Sequence, residues 1–132
     1  MAELNCIVVT PEATTLEAKA EFVALPLFDG EAGILPGHSP MIGRLGYGEL
    51  RIRTAGREQA FYVDGGFVQV ADNIVSVLTN RAVPAGDVDA DLAREQLAAA
   101  TKRKTASDEE FELRDRTINQ ARGQLRVAKR TR

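Results

Sequence analysis

The stretch Phe28–Tyr47 reads FDGEAGILPGHSPMIGRLGY and places five glycines and two prolines among otherwise mostly apolar residues. Glycine permits backbone turns with positive φ, whereas proline fixes φ and removes a hydrogen-bond donor. The path of this segment is therefore set by its own chemistry, and we expect a rigid, shaped loop. Such a loop suits recognition of a partner better than catalysis.

Short runs rich in β-branched, aromatic and leucine residues lie on both sides of this loop and predict strands. Turn residues separate them at Ala55-Gly56, Asp64-Gly65-Gly66 and Asp72-Asn73. In Glu49–Thr54 apolar and basic side chains alternate, so one face of this strand is exposed to solvent. This pattern predicts an antiparallel sandwich or barrel. The predicted strands are Leu4–Val9, Thr14–Lys19, Glu21–Leu27, Glu49–Thr54, Glu58–Val63, Phe67–Ala71 and Ile74–Thr79.

After Gly86 the hydrophobic period changes to that of helices. Asp87, Asp89 and Asp91 crowd where a helix N-terminus favours negative charge, and Ser107 with Glu110 offers a capping box for a second helix. The first helix is predicted from about Val88 to Lys104, with a thin apolar stripe of Val88, Leu92 and Ala99, and the second carries a narrow seam of Phe111, Ile118, Ala121, Leu125 and Ala128.

The predicted fold class is thus a β-sandwich domain, residues 1–84, followed by an antiparallel α-helical hairpin, residues 85–132. A hairpin of this size with thin apolar stripes buries too little surface to stand alone, and Gly123 in its second helix costs about 1 kcal/mol relative to alanine. The hairpin must therefore take stability from a neighbour, either its own sandwich or another protein. This makes it a candidate two-state element.

Composition excludes several classes of protein. No apolar run approaches the roughly 20 residues of a membrane-spanning helix, and Cys6, the one cysteine in the sequence, lies among apolar residues as a small buried side chain would. We infer a reducing, cytosolic compartment. From Arg116 onward there are six basic residues and no acidic one, yet the net charge is −2 and no aromatic residue follows Phe111. A nucleic-acid partner is therefore not expected, and such a basic run is also typical of a solvated helix face.

The sequence holds little catalytic apparatus. A single histidine, His38, provides no histidine-based metal cluster, and neither a Walker-type nor a dinucleotide-binding glycine loop is present. His38 stands next to Ser39 as a conceivable base, but adjacent residues in this turn point in different directions and no nucleophile-elbow pattern surrounds them. We expect a protein without catalytic residues and without a bound metal.

The chain closely resembles the epsilon subunit of F-type ATP synthases of the bacterial type. The signature of that family is matched by Asp29-Gly30-Glu31 and Gly33–Pro40, and the resemblance covers nearly the whole length, most specifically between residues 28 and 80. Further matches are Leu4–Pro11, Gly48–Ile52, Phe61–Val70, Asn73, Val75, Val77, Leu78 and Gln124–Ala128. The family fold, an N-terminal β-sandwich followed by a helical hairpin, agrees with the one predicted from periodicity.

The resemblance implies a rotor subunit in the central stalk of a proton-translocating ATP synthase. In this family the sandwich binds the gamma subunit and sits on the c-ring, so that ring rotation passes to the gamma shaft. Glu31 stands at the family's c-ring contact, on the tip of the Asp29-Gly30-Glu31 turn, and His38, Met41 and Ile42 stand where the sandwich meets gamma. An exposed Met41-Ile42 pair beside the rigid loop would suit such an apolar interface. The implied location is peripheral, on the cytoplasmic face of the plasma (inner) membrane, with membrane association only through the complex. Read without the resemblance, Glu31 is an ordinary exposed turn acid, and the three gamma-side residues are core.

The resemblance also implies that the hairpin is a regulatory arm. Folded against the sandwich it permits ATP hydrolysis, and extended along gamma it reaches the alpha and beta subunits and inhibits. Arg116, Arg122 and Arg126 are the expected contacts of this arm with acidic groups there.

Some members of the family bind ATP in the folded hairpin through Ile/Leu-Asp-x-x-Arg-Ala, and the aligned residues here are Val88–Ala93. Asp89 is kept, but Leu92 replaces the arginine. Gln120 and Gln124 stand where ATP-binding members tend to have basic residues. We expect weak or absent ATP binding and no cofactor.

Two other classes of function remain open at this point. A free-standing adaptor, with a sandwich head and a helical arm, would not co-purify with gamma and the c-ring. An enzyme would lose turnover when His38 is changed.

Overall fold

A computed structural model describes residues 3–131, apart from the side chains of Thr15 and Thr131. Within this range, strands occupy the first two thirds and helices the rest. The strands are β1 (Leu4–Val9), β2 (Thr14–Ala20), β3 (Phe22–Leu27), β4 (Gly30–Ile34), β5 (Met41–Thr54), β6 (Arg57–Ala71), β7 (Ile74–Leu78) and β8 (Ala82–Pro84). A 3₁₀ turn at Ala85–Asp87 leads into α1 (Ala90–Lys102) and α2 (Asp108–Thr131). The predicted order of a β-sandwich followed by two helices is confirmed. Residues 1 and 2 of the predicted sandwich domain and residue 132 of the predicted hairpin lie outside the described residues.

The strands form one hydrogen-bonded path in the order β2-β1-β7-β6-β5-β3-β4, with β8 paired to β6. β2 and β3 lie far apart in this order although a single residue, Glu21, joins them in the sequence. The path must therefore fold back on itself, and Thr54 at the end of β5 donates its hydroxyl to the Lys19 carbonyl of β2 at 2.7 Å. This closure turns one path of strands into the two layers of a sandwich.

The two long strands β5 and β6 span both layers and pair in one register from Met41↔Val70 to Thr54↔Arg57. The turn predicted at Asp64-Gly65-Gly66 is wrong, because these residues lie inside β6. Gly65 and Gly66 have φ of 70° and 111°, and a Cβ on Gly66 would lie 1.9 Å from the Leu78 carbonyl oxygen. The glycines thus bend a continuous strand where β7 approaches it closely.

The other two turn predictions are confirmed. Ala55-Gly56 joins β5 to β6 and Asp72-Asn73 joins β6 to β7, and all four residues have positive φ, as two-residue hairpin turns require. The segment predicted to be a shaped loop contains more regular structure than expected. β4 and the first part of β5 lie within it, and its residues outside the strands are the turn Phe28-Asp29 and the loop between Ile34 and Met41.

Alternating side chains of seven strands fill the space between the layers. Each of the strands β1 to β7 sends aliphatic residues into this core, as a two-layer sandwich requires. Its fully buried members include Leu4, Val8, Val23, Leu25, Ile34, Leu50, Ile52, Val63, Val68, Val70, Val75 and Val77.

The helix ends are close to those predicted. Asp89 caps α1 by accepting a hydrogen bond from the Leu92 amide at 3.0 Å. Ser107 caps α2 by accepting from the Glu110 amide at 3.2 Å, while the Glu110 carboxylate accepts from the amide of Ala106, one residue earlier than a standard capping box has it.

The predicted apolar stripes are partly wrong. In α1 the buried residues are Ala90, Ala93 and Ala100, whereas Leu92 and Ala99 are exposed. Alanines allow a close approach of α1 to α2, because the distance between helices depends on the side chains at the contact. In α2, Ala121 and Ala128 are buried as expected, and Ile118 and Leu125 are partly buried, but Phe111 is exposed.

The second helix contacts both α1 and the sandwich, so its buried surface is wider than a seam for a single partner. Val127 is buried against Tyr62 and Ala85, with Tyr47 and Val83 alongside. Gly123 is the point of closest approach, since a Cβ there would lie 2.6 Å from the Tyr47 carbonyl oxygen. The glycine that weakens α2 as an isolated helix therefore permits the helix to dock.

Substituting Gly123→Ala tests this role. Alanine favours the helix by about 1 kcal/mol, but overpacking against a backbone carbonyl costs about 1–3 kcal/mol. We expect α2 to leave the sandwich roughly fivefold more often, seen as faster tryptic cleavage at Lys129 and Arg130. A matched control, Glu112→Ala on the exposed side of α2, should leave the rate unchanged. Slower cleavage of the Gly123→Ala protein would contradict this reading.

Candidate interaction surfaces

One outer surface of the sandwich is unusually apolar. On β5, β6 and β7, Ile42 is 79% exposed, Phe67 60% and Leu78 53%, while the alternate residues of the same strands fill the core. The register places these side chains together, because Phe67 pairs with Leu78 and with Arg44, two residues from Ile42. Phe28 and Ile74 are also exposed at its margins. We call Phe28, Ile42, Phe67, Ile74 and Leu78 the apolar face.

Clustered apolar side chains in this number are typical of a surface that a partner covers. The guanidinium of Arg44 lies 5.0 Å from the centre of the Phe28 ring, and the Phe28 amide donates to the Arg44 carbonyl at 2.8 Å. Of the apolar face, only Ile42 was predicted from the sequence to be an interface residue. The available signal was alternation: Phe67 and Leu78 stand at the polar positions of strands whose other positions are valine.

The loop before β5 borders this face and is held in place. The Gly37 amide donates to the Asn73 side-chain oxygen at 2.7 Å, which ties the loop to the β6–β7 turn. The His38 amide donates to the Leu35 carbonyl at 3.1 Å, and its ring Nδ1 lies 2.7 Å from the Ser39 carbonyl oxygen. The loop is thus fixed as the glycines and prolines predicted.

The three residues predicted to meet gamma have different environments. Ile42 is exposed, His38 is partly buried in the fixed loop, and Met41 is partly buried and packs against the sandwich core. The expectation of an exposed Met-Ile pair is therefore wrong for Met41. Successive side chains of a strand point to opposite faces, so two neighbours cannot both lie on the surface.

Glu31, the predicted c-ring contact, lies in β4 rather than at the tip of a turn. The turn between β3 and β4 consists of Phe28 and Asp29. The Glu31 carboxylate is about half exposed and accepts a hydrogen bond from Arg51 Nη2 at 2.7 Å. It is therefore an accessible carboxylate that already has one cationic partner.

The arginines predicted for the inhibitory arm are all exposed. Arg126 donates to the Tyr47 carbonyl at 3.0 Å and so takes part in docking α2 on the sandwich. No such contact with the sandwich appears for Arg116 or Arg122 among the described residues. Arg132, the last of the six basic residues, lies outside that part of the chain.

Polar contacts across the interface between α2 and the sandwich surround Asp64. Asp64 is 8% exposed, and its carboxylate accepts hydrogen bonds from Gln120 Nε2 at 3.0 and 3.2 Å and from the Tyr62 hydroxyl at 3.3 Å. Burial, and then the charge of Asp64, raise the pKa of Tyr62, which Gln124 contacts from α2. Asp64 was predicted to lie in a turn, and its contact with Gln120 was not predicted. An acid within an apolar strand was the signal that such a partner was needed.

The residues aligned with an ATP motif have structural partners. Asp89 is the N-cap of α1, Leu92 is exposed, and Arg94 pairs with Asp91 one turn earlier in the same helix. Gln120 and Gln124 are directed to Asp64 and Tyr62 as described above.

The described residues show no activated thiol, no metal-ligand cluster and no membrane-spanning helix. Burial raises the pKa of Cys6 to about 12, so this thiol is not activated. Across residues 3–131 no group of three or more metal-ligating side chains comes together. Neither α1 nor α2 is long and apolar enough to cross a membrane, within the range described.

Comparisons with known proteins agree with this architecture. The family described as "ATP synthase, Delta/Epsilon chain, beta-sandwich domain" matches residues 3–85. The ATP synthase epsilon chain of Rhodopirellula baltica is 48% identical over 126 residues, covering 96% of this chain and 98% of that one. The second comparison therefore includes both helices.

Solved structures show the same fold. A chain of the Euglena gracilis mitochondrial ATP synthase, solved as an assembly of OSCP, F1 and c-ring, has a TM-score of 0.83 at 20% identity and covers 93% of this chain and 79% of that one. A chain of the Tetrahymena thermophila mitochondrial ATP synthase central stalk and c-ring has a TM-score of 0.73 at 16% identity, with coverage of 95% and 96%. The chain has the sandwich and the hairpin, and it is 48% identical to the Rhodopirellula baltica chain over nearly its full length. It therefore belongs to the family of ATP synthase epsilon chains.

Proposed function

We propose that this protein is a non-catalytic rotor subunit in the central stalk of a proton-translocating F-type ATP synthase. In this role it couples rotation of the c-ring to the gamma shaft and restrains ATP hydrolysis through its hairpin. The observation that carries the proposal is the 48% identity to an epsilon chain along 96% of the sequence. It lies peripherally on the cytoplasmic face of the membrane, attached through the complex.

The apolar face is the proposed contact with gamma. A rigid sheet with a preformed apolar surface docks without losing much conformational freedom, which favours affinity. Ile42 and His38 lie on or beside this surface, and the hydrogen bond from Gly37 to Asn73 fixes the loop that carries His38. Met41 supports the surface from within the core.

Glu31 is the proposed contact with the c-ring. Its carboxylate is accessible, and it lies on β4, which ends the order of strands and so forms one edge of the sandwich. A stiff sandwich that holds gamma by one surface and the ring by another can transmit torque, because close-packed cores deform little.

The hairpin is the proposed regulatory arm, and the docked position is its permissive state. Extension of the arm would break the contacts of Gln120 with Asp64 and of Arg126 with Tyr47. The released arginines Arg116, Arg122 and Arg126 would then face acidic groups on the alpha and beta subunits. Because Arg126 serves both states, its guanidinium exchanges one acceptor for another.

The alternative is a free-standing adaptor, which would separate from the membrane fraction without gamma or the c-ring. The 48% identity to an epsilon chain, which extends over nearly the whole sequence, weighs against an adaptor. Purification from detergent-solubilised membranes separates the two proposals: a rotor subunit emerges with gamma and the c-ring, and an adaptor does not.

Substituting Ile42→Lys or Phe67→Lys should weaken binding to purified gamma by at least tenfold, since it places a charge at the centre of an apolar contact. Both side chains point away from the core, so the thermal unfolding temperature should change little. Titration calorimetry measures the affinity, and Gln59→Lys, an exposed change elsewhere on β6, is the matched control. Unchanged affinity in both variants would exclude the apolar face as the gamma contact.

Charge reversal in the arm should relieve inhibition of ATP hydrolysis. Arg116→Glu with Arg122→Glu is the informative pair, because neither residue holds the docked state, and adding Arg126→Glu extends the test to all three. We expect higher ATPase activity of the reconstituted complex with the pair than with the native subunit, and a smaller difference at high salt. Arg57→Glu on the sandwich controls for net charge. Full inhibition by the pair and the triple variant would refute the electrostatic contact.

We propose that ATP binds weakly or not at all. A charge-assisted hydrogen bond contributes about 1.5–3 kcal/mol, so losing an arginine to Leu92 weakens binding by roughly ten- to a hundredfold. Calorimetry on the full chain with ATP and magnesium should show no micromolar affinity, and Leu92→Arg should strengthen any residual binding. Micromolar affinity of the native chain would overturn this proposal.

A further inference from the structure

A row of charged side chains crosses the sandwich surface from Glu31 to the last turns of α2. Arg51 Nη2 lies 2.7 Å from Glu31 Oε1, Arg51 Nε lies 3.5 Å from Glu49 Oε1, and Arg130 Nη1 lies 3.1 Å from the same Glu49 oxygen. We call Glu31, Arg51, Glu49 and Arg130 the ion-pair chain. It joins the edge strand β4 to the hairpin through two residues of β5.

Two guanidinium groups share one oxygen at the centre of this chain. Glu49 Oε1 is buried and, like Arg51 Nε, has no well-aligned hydrogen-bond partner among the described residues, so charge attraction holds the two groups. An arrangement without aligned hydrogen bonds has no single preferred geometry. Arg51 and Arg130 therefore compete for the same carboxylate.

Burial makes this competition matter. The side chains of Arg51 and Glu49 are 17% and 9% exposed, so water and salt screen them less than an ordinary surface pair. Arg51 has a third carboxylate nearby, Glu58, but at 3.9 Å and already within 3.8 Å of Arg53. Glu31 is thus the closest neutralising group for Arg51.

We propose that the ion-pair chain couples Glu31 to the docking of the hairpin, so that a partner that engages Glu31 loosens α2. While Glu31 neutralises Arg51, Glu49 is available to Arg130. When Glu31 turns to a partner, Arg51 draws Glu49 toward itself and Arg130 loses its anchor. This rests on the proposed function, in which the partner at Glu31 is the c-ring and the loosened helix is the regulatory arm.

Opening of the hairpin can be measured in the isolated full chain with a buried reporter thiol. Val127→Cys places this thiol beneath α2 against Tyr62, where it reacts with a thiol reagent only when the helix leaves the sandwich. Cys6 remains in the sandwich core, with a pKa raised to about 12 by burial, so its modification reports unfolding of the sandwich. The rate of modification of the reporter thiol relative to that of Cys6 therefore isolates release of the hairpin.

Glu31→Gln should raise the rate at the reporter thiol roughly two- to fivefold, as expected for loss of one partly screened ion pair. Glu12→Gln, an equal change of charge at an exposed acid between β1 and β2, should leave the rate unchanged. The effect of Glu31→Gln should disappear when Arg130→Gln is also present, because the anchor it weakens is then already lost.

A third background, Arg51→Met, separates the ion-pair chain from a general effect of charge. With Arg51→Met, Glu31→Gln should no longer alter the rate, since the coupling passes through Arg51. An unchanged rate for Glu31→Gln alone, or an equal increase in the Arg130→Gln or Arg51→Met backgrounds, would overturn the proposal. Because no c-ring is present, these outcomes are independent of whether Glu31 contacts the ring; loss of that contact is judged by ring binding of the Glu31→Gln protein.

Discussion

Docking of the hairpin depends on the close approach of α2 to the backbone of β5, which a glycine at position 123 permits. With a Cβ at that position, the helix would meet the Tyr47 carbonyl at 2.6 Å. The contact also presents that carbonyl to Arg126 and brings Arg130 to Glu49 and Gln120 to Asp64. One missing side chain thus sets the distance at which all the polar contacts of the interface form.

Polar groups make up much of this interface, and this limits its strength. Val127 is fully buried against the sandwich, but around it lie a buried carboxylate, two glutamines and an ion pair. Such groups give up hydration when they dock and recover it when they separate, so their net contribution is small. The sandwich core, by contrast, is built from aliphatic side chains of seven strands. A stable head and a weakly held arm are what a switch of one element on a rigid support requires.

Local sequence signals predicted the parts of the fold that depend on local chemistry. β1 has the predicted bounds, the turns at Ala55-Gly56 and Asp72-Asn73 have positive φ, Ser107 caps α2, and the aspartates after Gly86 lie at the N-terminus of α1. The errors arose where a distant segment decides the conformation. Gly65-Gly66 was predicted to be a turn, but glycine is needed at Gly66 because β7 approaches it closely, and β7 is a different strand. Gly123 was predicted to weaken α2, but glycine is needed there because the helix packs against the backbone of Tyr47. Alternation could have marked Phe67 and Leu78 as outward-facing, but only pairing of β6 with β5 and β7 brings the residues of the apolar face together.

Hydrogen exchange of the isolated full chain tests the central claim most directly, because it measures the free energy of opening of each element separately. If α2 is a separately released arm, its amides from Ile118 to Lys129 should exchange through an opening that costs several kcal/mol less than opening of β1, β6 and β7. The core strands should keep their full protection while this occurs. Exchange of α2 and the strands with one common free energy would mean that the helix is an inseparable part of the head, and would contradict the account.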